Sequence, residues 1–113
     1  VAYSYGIKET MLGVDHQVLV EKGAVSEEIV RQMSEGARKR LGVDFSIAVS
    51  GIAGPEGGTE DKPVGTSWIS VAGPHRTIAE KFVFGKVRER NIQKTIFAAL
   101  NLLVKEVEDY PLG

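Results

Sequence analysis

Apolar residues along this chain recur at two periods, and the switch between them marks its elements. Phe45, Ile47 and Val49 alternate with Ser46, Ala48 and Ser50, which predicts a buried strand over 45–50. Residues 64–72 (VGTSWISVA) and 77–84 are rich in β-branched and aromatic side chains and predict two more strands. The short Gly73-Pro74-His75-Arg76 segment between them predicts an antiparallel hairpin with His75 exposed at its tip. At helical spacing, Ile29, Val30, Met33, Ala37 and Leu41 mark the apolar face of a scaffold helix. Ser26 is its expected N-cap, Glu27 and Glu28 suit the positive end of its dipole, and Gly42 stops it. A longer helix is predicted from about residue 87 to 107, with Ile92, Ile96, Ala99, Leu103 and Val107 facing the sheet. Earlier in the chain, residues 1–5 suggest a short strand, 7–12 a helical segment stopped by Gly13, and 15–23 a short helix.

Between the first two of those strands lies the densest glycine cluster of the sequence. Residues 50–65 read SGIAGPEGGTEDKPVG and hold five of the thirteen glycines and two of the four prolines. Glycine is needed where φ is positive or where the backbone approaches something closely, so the cluster predicts a shaped loop. Such a loop beyond the carboxyl end of a strand is where α/β sheets collect ligands, and its backbone N–H groups can hold a phosphate or an oxyanion. A connection that merely turns tightly is the plain alternative.

Composition narrows the field of partners. The 113 residues fit one small domain. A net charge of −1 with 26% charged residues carries no nucleic-acid footprint, and neither a signal-like segment nor a run of apolar residues long enough for a membrane span occurs. The absence of cysteine excludes disulfides and thiolate metal sites and is compatible with a reducing cytoplasm. His16 has no second ligand-type neighbour and receives no metal role, while Trp68 reads as core in preference to a stacking platform for a ring. Arg88 and Arg90 open the long helix at the end where cations oppose the dipole, which points either to a compensating anion or to two solvated arginines near Glu89.

The S-G-I-A-G-P-E-G-G core at 50–58 with K-P-V-G-T at 62–66 closely resembles the signature of the CinA C-terminal domain family, the nicotinamide-nucleotide amidases. The likeness extends to YSxxxK at Tyr3 to Lys8, MLGV at 11–14 and GAVSEE at 23–28. It implies a three-layer α/β/α sandwich with a mixed sheet, here a single domain over 1–113 lacking the family's N-terminal strand and helix. That segment carries an S-C-T-G-G motif whose serine is the family's proposed nucleophile. The implied reaction is hydrolysis of the carboxamide of nicotinamide mononucleotide to nicotinate mononucleotide and ammonia, with no metal or redox cofactor.

The resemblance also assigns roles. Tyr3 and Lys8 become catalytic residues, with Lys8 as the base that takes the serine proton when burial or nearby positive charge has left it neutral. Read from composition alone, Tyr3 is a half-buried strand aromatic and Lys8 a solvated helix residue. Tyr5 stands where the family's Y-S-N-x-x-K pattern has asparagine. Ser50, Gly51, Gly54, Gly57 and Gly58 become substrate-binding residues or oxyanion donors. Arg88 is the better match to the family's site arginine after F-x-G, with Arg90 in reserve because FGKVRER carries an apparent insertion. The expected partner is a small nucleotide and not DNA or a membrane, in a cytoplasmic homo-oligomer favoured by an exposed sheet edge. A noncatalytic nucleotide-binding or oligomerisation module that keeps the loop without the nucleophile is the rival reading.

Overall fold

The computed structural model describes Gln17, residues 25–51 and residues 63–110 of the chain. Five elements lie in that span: α1 (Glu27–Leu41), β1 (Ser46–Gly51), β2 (Thr66–Ala72), β3 (Thr77–Val83) and α2 (Arg88–Asp109). The strands form one antiparallel sheet in the order β1-β2-β3. The segments expected to be helical at 7–12 and 15–23, and the strand expected at 1–5, lie outside the described residues apart from Gln17, which is helical and exposed.

Pleating sorts the sheet into two faces. Ala48 pairs with Ser70 and Ser70 with Ala79, and this row meets α1. Ile29, Val30 and Met33 of α1 bury against Ala48, with Trp68 and Ala79 packed around them, so Trp68 packs on the core as expected while staying partly exposed. Each of those α1 side chains contributes roughly 1.5–3 kcal/mol by leaving water. A polar seam crosses the same interface: Ser34 Oγ and Ser70 Oγ lie 2.8 Å apart, Ser70 Oγ donates to the Ile78 carbonyl at 2.8 Å, and Ser46 Oγ donates to the Ser34 carbonyl. The opposite row, containing Ser67, Ile69 and Val71, turns towards α2, so the helices sandwich the sheet as three layers.

α1 ends as predicted, with Gly42 at φ 64° donating its N–H to the Arg38 carbonyl at 3.0 Å. Its start differs in detail, because extended Ser26 makes no side-chain cap hydrogen bond, and Leu41 is 71% exposed instead of joining the apolar face. The β2–β3 hairpin closes through Gly73 N–H to the Arg76 carbonyl at 2.9 Å, as the turn sequence predicts.

Two apolar faces differ from expectation. In β1 the buried residue is Ala48, which meets α1, while Val49 on the α2 side stays 39% exposed. In α2 the buried positions are Asn91, Ala99 and Glu106, whereas Ile92, Ile96 and Val107 are 42%, 54% and 47% exposed. The helix is therefore rolled away from the stripe that apolar spacing selects. Two polar side chains lie on its buried side instead, and both have partners. Glu106 receives a bidentate pair from Arg76, Nε at 2.8 Å and Nη2 at 2.6 Å, which holds the carboxyl below its ordinary range. Asn91 binds Gly85 through both its amide atoms.

Candidate functional site

The glycine-rich loop leaves the sheet at Gly51 and rejoins it near Gly65, where Gly51 abuts Thr66 and Ser67 and Gly65 packs on the Phe84-Gly85 turn that leads into α2. Gly51 pairs with Ser67 at the end of the β1–β2 ladder. A Cβ on Gly51 would lie 3.0 Å from the Thr66 carbonyl oxygen and 3.1 Å from Ser67 Oγ, so a side chain there would have to push the strands apart by a few tenths of an ångström. Gly65 has φ 91°, a left-handed conformation open to glycine, and a Cβ on it would collide with the Gly85 carbonyl oxygen.

The turn before α2 is held by a two-point clasp. Gly85 N–H donates to Asn91 Oδ1 at 3.0 Å, and Asn91 Nδ2 donates to the Gly85 carbonyl at 2.9 Å. The Phe84 N–H to Gly65 carbonyl bond at 3.0 Å ties that turn to the loop end. Thr66, at the same end, donates its hydroxyl to the Pro63 carbonyl at 2.6 Å. Arg88 is the first residue of α2, three positions before Asn91, and it is exposed, as is Arg90.

A groove of about 400 Å³ opens between this junction and α2. Val49, Ile92, Ile96, Ala99 and Leu100 make its apolar walls, and Gly51, Gly65, Ser67 and Asn91 close one end. Ser67 is 3% exposed, and its Oγ has no hydrogen-bond partner. An orphaned buried hydroxyl costs about 1–3 kcal/mol.

The expected site residues distribute unevenly over this geometry. Gly51 joins Gly65, Ser67 and Asn91 on the α2 side. Ser50 pairs with Trp68 and so shares the α1 face of the sheet. Tyr3, Lys8, Gly54, Gly57 and Gly58 lie outside the described residues. Sequence reasoning gave no site role to Ser67, Asn91 or Gly85, the last read only as the break before the long helix; the available signal was a polar residue at 91, just before an apolar stripe, six positions after a glycine. Among the described residues no His, Cys, Asp or Glu cluster has the form of a metal centre.

Residues 1–107 match the family described as the CinA C-terminal domain. The chain belongs to the CinA C-terminal domain family. A CinA-like protein of Prochlorococcus marinus (strain MIT 9313) is 56% identical over 90 residues, covering 80% of this chain and 21% of that protein. A CinA-like protein of Cytophaga hutchinsonii is 44% identical over 109 residues, covering 96% of this chain and 26% of that protein. The chain thus spans about a fifth to a quarter of these curated CinA relatives. Among solved structures, the competence/damage inducible protein CihA from Agrobacterium tumefaciens superposes with a TM-score of 0.89 at 34% identity, over 93% of this chain and 65% of that one. The competence damage-inducible protein A (ComA) from Klebsiella pneumoniae subsp. pneumoniae MGH 78578 gives 0.89 at 34% identity, over 96% and 68%. The α/β fold described above is the fold of CinA-superfamily proteins, and the chain is of the competence/damage-inducible type. No helix among the described residues is long and apolar enough to cross a membrane.

Proposed function

We propose that this CinA domain serves an amidohydrolase that converts nicotinamide mononucleotide to nicotinate mononucleotide and ammonia. The observation that carries the reading is that the two ends of the SGIAGPEGG…KPVG loop lie side by side, Gly51 against Thr66 and Ser67, with Gly65 packed on the Phe84-Gly85 turn that leads into α2 at Arg88. Substrate phosphate and a tetrahedral oxyanion both need donors of the kind that glycine backbone and an arginine supply.

In this reading a serine outside these 113 residues attacks the carboxamide carbon, and Lys8, with Tyr3 as the second catalytic residue, accepts its proton. The carbon–nitrogen bond then breaks as Lys8 hands that proton to the departing nitrogen, ammonia leaves, and water hydrolyses the acyl-enzyme to the carboxylate and the free serine. Ser50 supplies a substrate-binding hydroxyl. Gly51, Gly54, Gly57 and Gly58 supply backbone donors, and Arg88 offsets the phosphate charge. The chemistry uses no metal or redox cofactor. The same proposal places the enzyme in the cytoplasm as a homo-oligomer.

Nicotinamide mononucleotide turnover by the natural polypeptide containing this domain, compared with its Lys8→Met and Arg88→Ala forms, tests these roles. Lys8→Met should reduce kcat at least a hundredfold with the nucleotide still bound, and Arg88→Ala should raise KM more than it lowers kcat. Nucleotide binding without ammonia release by the unaltered polypeptide would favour the noncatalytic module.

A further inference from the structure

We infer that the groove between β1, β2 and α2 receives the carboxamide-bearing ring of the substrate, with Ser67 Oγ as its hydrogen-bond partner. The identity of the ring rests on the amidase reading; the site itself rests on the groove. Its walls, Val49, Ile92, Ile96, Ala99 and Leu100, suit the faces of a flat apolar body, and no charged side chain lines it among the described residues. Ligand pockets of this kind are largely apolar with a few placed polar groups. The polar side chains around the groove are already committed: Thr66 to the Pro63 carbonyl, Thr95 to the Asn91 carbonyl at 2.7 Å, and Asn91 to Gly85. Among the described residues, Ser67 alone has a buried side-chain oxygen without a partner. A hydroxyl both donates and accepts, which matches a carboxamide, and the lack of charge leaves the phosphate to the loop end.

The test is a methyl-NMR titration of this chain with nicotinamide, and with benzene as a ring that lacks the amide. Nicotinamide should move the methyl resonances of Val49, Ile92, Ile96 and Leu100. Ser67→Ala should weaken nicotinamide about tenfold, the loss of one hydrogen bond, and leave benzene unchanged. Ser67→Val, which puts a methyl in place of the hydroxyl and adds a second, should also weaken nicotinamide, and unchanged dispersion of the other methyl signals shows that both variants fold. The inference is overturned if these methyls stay still, if Ser67→Ala binds nicotinamide as well as wild type, or if they shift with protein concentration alone, which would mean that a second copy covers the groove. Ammonia assays separate it from the amidase reading. Nicotinamide bound here without turnover of the mononucleotide sinks the reaction and keeps the site; turnover with KM indifferent to Ser67→Ala does the reverse.

Discussion

A methyl group at position 65 has nowhere to go. It would meet the Gly85 carbonyl from a backbone with φ 91°, so Gly65→Ala should cost about 2–4 kcal/mol in a denaturant melt. Asn91→Ala removes both contacts to Gly85 and leaves two backbone groups to find water, for a loss of about 1–3 kcal/mol. Asn91→Asp should be scarcely better, since a carboxylate cannot donate to the Gly85 carbonyl. Ser67→Ala runs the other way. Its hydroxyl is buried and unpaired, so without ligand the variant should match or slightly exceed wild-type stability.

At the scale of elements, α2 shows how far pattern reasoning reaches. Its existence and length were legible in the apolar spacing, as were the three strands, the hairpin and the Gly42 stop of α1. Its roll about its own axis was not, because apolar spacing assumes that oily positions face inward. Here Asn91 and Glu106 take two of those positions, and the partners that make them burial-tolerant, Gly85 and Arg76, come from other parts of the chain. Val49 was misjudged for a related reason: alternation finds two faces in a strand but does not tell which of them a helix fills. The glycine loop was legible as a shaped connection, whereas the Ser67 and Asn91 end of the groove exists only when β2 and α2 are brought together. Replacing one residue on each side of α2 checks the roll. Phe97→Ser, at a position 71% exposed, should stay within about 0.5 kcal/mol of wild type. Ala99→Leu, on the sheet side, should cost about 1–3 kcal/mol through overpacking.

For the whole molecule, the Arg76–Glu106 pair joins the tip of the β2–β3 hairpin to the last turns of α2, with Asp109 3.5 Å from the same guanidinium and His75 3.9 Å from the carboxylate. The hydrogen bonds from Arg76, against a desolvation that opposes them, hold the Glu106 carboxyl below its usual value near 4.5. A carboxyl lowered on folding stabilises the native state above its unfolded value and loses that contribution as the pH falls through the folded one. Glu106→Gln should therefore lower the melting temperature at pH 7, and its deficit should close as the pH falls below about 4.5. A deficit that persists unchanged into acid would mean that packing, and not charge, makes the contact. Function at this scale turns on whether the sheet end where loop and α2 meet performs amide hydrolysis. The most direct measurement is the yield of ammonia and nicotinate mononucleotide from nicotinamide mononucleotide, for the natural polypeptide and for the 113-residue chain side by side. The account predicts one ammonia per nicotinate mononucleotide from the natural polypeptide and none from the chain alone, on the proposal that the nucleophilic serine is supplied from outside it. Intact nucleotide recovered from both would contradict it, and turnover by the chain alone would move the nucleophile to a residue within it, with Ser50 the first to replace.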